Sequence, residues 1–141
     1  NVYDLPTAVC RFYNVYGPHQ LESGTYATVI GIFERQYREG KPLTVTGNGE
    51  QRRDFTHIED IVDGIVKCAE NIDVANGETF ELGRGVNFSI NEIAKMFGGE
   101  TRYISARPGE YDVTLCDYTK ANKILRWSPS KNIESYIKEV I

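Results

Sequence analysis

Two arginines near glycine-containing turns are the residues of this sequence best suited to binding a phosphorylated ligand. Arg53 follows the turn Gly47-Asn48-Gly49, and Arg107 shares a second turn with Glu110. A guanidinium group matches a diphosphate with two parallel hydrogen bonds, and a carboxylate accepts hydrogen bonds from ribose or sugar hydroxyls. The same residues also fit a second interpretation, in which they form surface salt bridges of little energetic consequence. Sequence chemistry alone leaves both interpretations open.

One tyrosine–lysine pair has the spacing used for proton transfer. Tyr37 precedes Lys41 by one helical turn, and a lysine at that distance lowers the pKa of a tyrosine so that the phenolate can act as a base. The two side chains must share one face of a continuous helix. A glycine and a proline flank Lys41 and should end the helix there. We therefore reject this pair and expect no catalytic residue in this chain.

The glycine-rich turns of the sequence are too short to hold a dinucleotide. A dinucleotide-binding sheet begins with a GxGxxG-type turn between its first strand and first helix. No such motif occurs, and the turns at residues 47–49 and 83–85 contain two glycines each. We interpret them as plain chain reversals, and we expect the pyrophosphate of a dinucleotide to be bound elsewhere.

The histidines and cysteines form no recognisable site. His19 and His57 are far apart and accompany no nucleophile motif; we interpret His57 as structural, and His19 as either a ligand contact or a solvent-facing side chain. Cys10, Cys68 and Cys116 are odd in number, widely separated and without metal-ligand spacing. Such cysteines are typical of buried, reduced thiols, which predicts a cytoplasmic protein.

Composition indicates a single globular domain and excludes two classes of partner. The chain has 141 residues, with 40% hydrophobic and 26% charged residues and a net charge of −4. A mildly acidic chain with scattered basic residues does not favour nucleic-acid binding. No apolar run is long enough to span a membrane, and no signal peptide opens the chain. The start at Asn1, without a methionine, leads us to expect a fragment of a larger protein.

The elements that must position these residues alternate between strands and helices. Apolar runs and turn residues predict strands at 7–13, 43–46, 53–58, 78–82 and 102–104. Helical periodicity predicts helices at 26–39, 90–97, 119–127 and 132–141. A further helix is predicted to be capped by Glu59 or Asp60 and to run to residue 69. Residues 89–92 have capping-box spacing. The first strand is almost continuously apolar, which predicts a buried parallel strand. The fold class is therefore α/β or mixed α+β.

Three blocks of sequence resemble the extended short-chain dehydrogenase/reductase family. They are RFYNVYGP at 11–18, GNGEQRRDFTHIEDI at 47–61, and RPGE at 107–110 followed by DYTKA at 117–121 and LRW at 125–127. The blocks occur in the family's order and at compatible spacing, and the resemblance covers essentially the whole chain. Within the family the chain is most similar to NAD-dependent nucleotide-sugar epimerases and dehydratases of the UDP-glucose 4-epimerase type.

This resemblance implies an α/β fold in which residues 1–141 form one C-terminal substrate-binding domain plus the last strands of a Rossmann-type sheet. The family's NAD-binding glycine loop and its Tyr-Lys pair would lie upstream. The implied function is binding of a nucleotide sugar, a UDP-sugar, for an NAD-dependent sugar 4-epimerase. A 4,6-dehydratase, a UDP-glucuronate decarboxylase and a non-catalytic nucleotide-sugar-binding module are the alternatives. An exposed strand edge where upstream strands are missing would favour a homodimer.

The resemblance also implies a role for individual residues. Tyr13 would lie near the nicotinamide of NAD, and Asn14 would contact the sugar diphosphate. The sugar-nucleotide pocket would be lined by Ala27, Thr28 and Val29, and the nucleobase would be held, largely through backbone groups, by Thr44, Val45 and Thr46. Arg53 and Arg107 would clamp the diphosphate, and Glu110 would bind ribose hydroxyls. Two matching aspartates are expected to be structural, Asp54 at a strand end and Asp60 as a helix cap.

Overall fold

The computed structural model describes residues 3–141, in which eight short strands alternate with six helices. The strands are β1 (Val9–Phe12), β2 (Val15–Tyr16), β3 (Leu43–Thr46), β4 (Arg52–Asp54), β5 (Thr56–His57), β6 (Thr79–Leu82), β7 (Asn87–Ser89) and β8 (Thr101–Ile104). The helices are α1 (Val29–Arg38), α2 (Ile58–Glu70), α3 (Ile72–Ala75), α4 (Ile90–Phe97), α5 (Thr119–Leu125) and α6 (Ile133–Val140). The predicted α/β class is confirmed.

The strands pair in four two-stranded sheets, three of them parallel. β1 pairs with β6, β2 with β5 and β3 with β8 in parallel, while β4 and β7 are antiparallel. Parallel neighbours need a crossover connection, and helices α2 and α3 supply the last part of the connection from β1 to β6. The parallel strand predicted near the start of the chain is therefore confirmed.

The predicted burial of that strand is wrong. Val9 and Phe12 are 51% and 48% exposed. Among residues 3–141, β1 has hydrogen bonds to β6 alone, so one edge is unpaired. Cys10 packs towards α2, with its Sγ atom 3.4 Å from that of Cys68, while Val9 alternates to the opposite, uncovered face. Cys10 is the one residue of β1 that is even partly buried, so most of this strand is exposed.

Two helix starts differ from the prediction because other side chains provide the caps. Helix α1 begins at Val29, since Thr28 Oγ1 accepts a hydrogen bond from the amide of Gly31 at 3.0 Å. Helix α2 is capped by His57, whose Nδ1 accepts from the amide of Glu59 at 3.2 Å. The predicted caps at Glu59 or Asp60 are therefore wrong, and His57 is structural, as predicted.

Asp60 has a different structural role from the one expected. Its buried carboxylate accepts hydrogen bonds from the amide and hydroxyl of Ser130 and from the amide of Lys131, at 2.9–3.0 Å. The carbonyl of Asp60 accepts from the indole of Trp127 at 2.9 Å. Asp60 thus fastens the segment between α5 and α6 to helix α2.

Other elements also differ from the prediction, and one predicted cap is present. The strand predicted at 53–58 is divided into β4 and β5, and α5 ends at Leu125 because Arg126 is left-handed. The elements β2, β7 and α3 were not predicted. The capping box of α4 is present: Ser89 and Glu92 each accept a hydrogen bond from the other's amide. This box fixes the start of α4 directly after β7.

The buried apolar residues form two clusters. The helical core lies between α1, α4, α6 and β3 and consists of Tyr16, Ile30, Phe33, Leu43, Val45, Phe55, Ile90, Ile93, Ala94, Phe97, Ile133, Tyr136 and Ile137. The sheet core lies between α2, α3, α5 and β6 and consists of Ile61, Cys68, Ala75, Phe80, Leu82, Ala121, Leu125 and Trp127. In the described part of the chain, no helix combines the length and the apolarity needed to cross a membrane.

Candidate functional site

A cavity of about 300 Å³ opens beside the helical core and collects most of the residues singled out in the sequence. Of the predicted binding residues, those lining it are Asn14, Ala27, Thr28, Val29, Thr44, Thr46, Arg53, Arg107 and Glu110. They come from the segment after β1, the start of α1, strands β3 and β4, and the turn after β8. A cavity of this volume fits a small organic ligand.

Arg53 and Glu110 form an ion pair inside this cavity. Nη2 of Arg53 lies 3.0 Å from Oε1 of Glu110, and Nη1 donates to the carbonyl of Arg52 at 2.9 Å. The side chains are 11% and 33% exposed, so this pair is more enclosed than an ordinary surface salt bridge. Arg107 lines the same cavity and forms no ion pair within residues 3–141. The cavity therefore holds two guanidinium groups and one carboxylate, a net charge of +1.

Strand β3 forms one wall of the cavity through its alternating side chains. Thr44 and Thr46 face the cavity, whereas Leu43 and Val45 point into the helical core. Gln36 fixes this wall, since its Oε1 accepts from the amide of Thr44 and its Nε2 donates to the hydroxyl, at 3.0 and 2.8 Å. A ligand would therefore meet Val45 through its backbone only.

Asp54 explains why the second glycine turn cannot hold a phosphate. Its carboxylate is fully buried and accepts hydrogen bonds from the amides of Arg84, Gly85 and Cys116 at 2.8, 2.8 and 3.0 Å. The predicted structural role of Asp54 at a strand end is confirmed. Because the amides of Arg84 and Gly85 bind this carboxylate, these two amides of the turn are not available to an anion.

The first glycine turn is also engaged by the protein itself. The amide of Gly47 donates to Ile104 and that of Gly49 donates to Thr46. A Cβ atom at Gly49 would lie 2.1 Å from Oδ1 of Asn91, so this glycine is needed for close packing. Residues 3–141 thus offer no glycine cradle that fits the pyrophosphate of a dinucleotide.

Two of the predicted binding residues, Tyr13 and Val45, lie outside the cavity lining. The rejected pair of Tyr37 and Lys41 lies outside it as well. Tyr13 follows β1, and burial and the neighbouring Glu81 raise the pKa of its phenol above the ordinary value. Helix α1 ends at Arg38, and Lys41 lies beyond it with its Nζ 2.8 Å from Glu39. Tyr37 and Lys41 therefore do not share a helix face. No group of three potential metal ligands is found among residues 3–141.

Several lining residues were not predicted from the sequence. They are Val15, Tyr26, Ile30, Ile32, Gln51, Phe55, Ile90 and Ile104. Tyr26 is an exposed aromatic residue in a loop, which is a usable signal for a binding residue. The aliphatic residues carry no such signal, because they belong to helices and strands whose periodicity predicts core packing alone.

Comparison with known proteins identifies the family to which the sequence is similar. Residues 1–83 match the model of the "NAD dependent epimerase/dehydratase family". The chain is 32% identical to the UDP-glucuronate 4-epimerase of Thermodesulfobacterium geofontis, over 100% of this chain and 44% of that protein. It is 31% identical to UDP-glucuronic acid decarboxylase 2 of Arabidopsis thaliana, over 92% of this chain and 29% of that protein.

A solved structure matches the fold over almost the whole of this chain. The UDP-glucuronic acid 4-epimerase of Bacillus cereus, in complex with UDP-glucuronic acid and NAD, superposes with a TM-score of 0.84 at 30% identity. The match covers 99% of this chain and 47% of that one. The chain thus spans less than half the length of these relatives.

Proposed function

Because this chain belongs to the NAD dependent epimerase/dehydratase family, we propose that it is the UDP-sugar-binding part of an NAD-dependent sugar 4-epimerase. The observation that carries the proposal is the convergence of Arg53, Arg107 and Glu110 on one cavity. Since the chain spans 44% of the 4-epimerase relative, the activity of the whole protein belongs to the proposal as well.

The two arginines are assigned to the diphosphate. A UDP-sugar diphosphate carries two negative charges, and the cavity's net charge of +1 attracts it. Arg53 is held in place by Glu110 and by the carbonyl of Arg52, so it loses little conformational freedom when a ligand binds. Oε2 of Glu110 has no hydrogen bond to the described residues and is assigned to a ribose hydroxyl.

The uridine and sugar rings are assigned to the remaining walls. The nucleobase lies along β3, where Thr44, Val45 and Thr46 offer backbone groups, and the sugar lies towards Thr28 and the start of α1. Apolar lining residues suit the faces of such rings, while the few polar groups set orientation.

NAD dependence is a property of the family, and this chain contributes little to holding the cofactor. Both glycine turns use their amides internally, so the proposal assigns the NAD pyrophosphate and the proton-transferring pair to residues outside this chain. Tyr13 at the end of β1 is assigned to the nicotinamide side. No hydride-transfer step is assigned to residues 3–141, and the 141-residue chain alone should bind a UDP-sugar without converting it.

The decarboxylase relative supports a second candidate, a UDP-glucuronate decarboxylase that uses the same diphosphate site. An assay of the protein as its gene encodes it, with NAD and either UDP-glucose or UDP-glucuronate, separates the two. Inversion at C4 without loss of carbon supports the epimerase, and release of carbon dioxide from UDP-glucuronate supports the decarboxylase.

The test of the binding site is Arg53→Ala. A hydrogen bond to a charged group contributes roughly 1.5–3 kcal/mol, so we expect the affinity for UDP to fall about ten- to a hundred-fold. Arg53→Lys should recover only part of that affinity, because an ammonium group keeps the charge and loses the two-pronged geometry. Isothermal titration of UDP into each protein measures these effects.

Arg38→Ala is the matched control. Arg38 also pairs with one glutamate, Glu22, but it lies outside the cavity lining and is largely exposed. Its replacement should leave the affinity for UDP unchanged within about twofold. Equal affinities of wild type and Arg53→Ala for UDP would remove Arg53 from the site and contradict the proposal.

A further inference from the structure

The orientation of the Asn14 side chain determines which ligand groups it can bind. Its Nδ2 donates one hydrogen bond to the carbonyl of Asp54 at 2.9 Å and one to the hydroxyl of Thr114 at 3.2 Å. A carboxamide has two N–H donors and one acceptor oxygen, so both donors are used. Oδ1 accepts no hydrogen bond from residues 3–141, and Asn14 lines the cavity.

The neighbouring carbonyl fixes which atom of the amide is which. A backbone carbonyl can only accept hydrogen bonds, so the amide atom 2.9 Å from the Asp54 oxygen must be the nitrogen. A flipped amide would place two oxygens in contact there. Asn14 also has a positive φ of 27°, a conformation that asparagine tolerates better than most residues. The hydrogen bond to Asp54 therefore fixes the orientation of the Asn14 side chain, at a residue whose backbone conformation is unusual.

Thr114 is held rigidly behind Asn14. Its hydroxyl accepts from Asn14 Nδ2 and from the amide of Asp54, both at 3.2 Å. Its own amide donates to the carbonyl of Arg52 at 3.0 Å, and its carbonyl accepts from Asn87 at 3.2 Å. Thr114 is half-buried and does not line the cavity. Its hydroxyl contacts one residue of the cavity lining, Asn14, so the hydroxyl can affect a ligand through Asn14.

We propose that Thr114 is a positioning residue that presents Asn14 to the cavity as a hydrogen-bond acceptor, and that the ligand group meeting Asn14 is a hydroxyl of the sugar. Diphosphate oxygens at neutral pH carry no proton to donate, so they cannot bind Oδ1. This inference rests on the proposed function and refines the assignment of Asn14 from the sugar diphosphate as a whole to the sugar alone.

The first test needs no mutation. The ligands are UDP, UDP-glucose and a set of UDP-glucose analogues in which one sugar hydroxyl at a time is replaced by fluorine, which cannot donate a hydrogen bond. We expect one analogue to bind the wild-type protein about three- to tenfold more weakly than UDP-glucose, the effect of one neutral hydrogen bond. Titration calorimetry on the protein as its gene encodes it measures the affinities. No weakened analogue in the set would overturn the proposal.

The second test assigns that effect to Thr114. Thr114→Val removes the hydroxyl at nearly constant shape, and Thr114→Ser keeps it. In Thr114→Val, the affinity for UDP-glucose should fall about three- to tenfold, and the affinity for UDP should change less than about twofold. The sensitive analogue should then bind as UDP-glucose does. Thr114→Ser should behave as wild type does.

Two outcomes separate this proposal from a structural role and from the proposed function. Asn14→Ala should remove the same sugar contribution, and the double variant with Thr114→Val should lose no more than either single variant. Additive losses, or equal losses for UDP and UDP-glucose, would overturn the positioning role. A wild-type protein that binds neither UDP nor UDP-glucose would instead refute the proposed function.

Discussion

The helical core and the sheet core of this molecule differ in how completely their elements cover one another. In the helical core, α1, α4 and α6 pack with β3, and the cavity opens beside them. In the sheet core, β1 and α2 each bury one face only. The outer face of α2 carries a stripe of exposed aliphatic residues, Ile58, Val62, Ile65 and Val66. Single exposed aliphatic residues are ordinary, whereas a stripe at helical spacing marks an interaction surface.

This difference agrees with the proposed function, which assigns the UDP-sugar to this chain and the NAD pyrophosphate to residues outside it. The cavity and the predicted binding residues that line it belong to residues 3–141, which agrees with the proposed UDP-sugar site. The sheet region offers an unpaired strand edge and two apolar faces, which suit association with further structure.

Asp54 joins the two regions, and its loss should have the largest effect. Asp54→Ala leaves the amides of Arg84, Gly85 and Cys116 buried without an acceptor. We expect the free energy of unfolding to fall by about 3–5 kcal/mol, measured by urea denaturation. Asp112→Ala is the control, because this exposed side chain makes no hydrogen bond to the described residues; it should cost less than about 0.5 kcal/mol. Similar losses in both variants would show that Asp54 is no special junction.

The open surface should make the isolated 141-residue chain self-associate, as we predicted from the sequence. Val62→Lys places a charge in the α2 stripe and should weaken association by at least about tenfold, since burying one valine contributes roughly 1.5–3 kcal/mol. Val140→Lys is the control, because Val140 is an exposed valine on α6, over the helical core. Light scattering over a concentration series measures both. A clean monomer in the wild-type chain would contradict the prediction.

The smallest expected effect concerns Tyr16 in the helical core. Its hydroxyl is buried and has no hydrogen-bond partner among residues 3–141. Tyr16→Phe should therefore keep or raise the free energy of unfolding, by up to about 1 kcal/mol. Tyr136→Phe is the control: the Tyr136 hydroxyl accepts from Gln20 at 3.3 Å, so this change should destabilise the protein by about 0.5–1.5 kcal/mol. A loss of stability in Tyr16→Phe would contradict the prediction.

The same tyrosine gives a pH dependence with a defined sign. Burial raises the pKa of Tyr16 above its ordinary value of 10.0, so the folded protein keeps a proton that the unfolded chain releases. The contribution of Tyr16 to the free energy of unfolding should therefore be fully present below pH 10. It should decline as the pH rises above about 10. Tyr16→Phe should show a shallower decline in urea denaturation at alkaline pH.

The sequence was most informative where local rules determine structure. Ser89 and Glu92 predicted their capping box, and Gly40 predicted the end of α1. Cap identity failed at His57, because histidine is an uncommon cap and Asp60, three residues later, is of a common capping type. Burial of β1 could not be predicted, since it depends on which neighbours the strand has. The mostly apolar residues of β1 are the same whether or not a neighbouring strand covers it.

The candidate site was predictable only where a motif marked it. Arg53, Arg107 and Glu110 stand in motifs, and the structure brings them into one cavity. Thr114 lies in no motif that we had singled out, and its importance comes from a contact with Asn14 across the fold. Gln36 and Gln51 support the β3 wall through hydrogen bonds. Gln51 lies within the motif block at 47–61, whereas nothing in the sequence marks Gln36.

The bond between Asn14 and Thr114 joins residues one hundred positions apart, and this separation concerns the protein during its synthesis. A chain grows by about 5–20 residues per second from its N-terminal end, so Asn14 waits several seconds for its partner. Until Thr114 leaves the ribosome, the acceptor face of the cavity is not fixed. A ligand stabilises only the species that binds it. Under the proposed function, a nucleotide sugar would therefore stabilise chains in which the contact between Asn14 and Thr114 has formed more than shorter nascent chains.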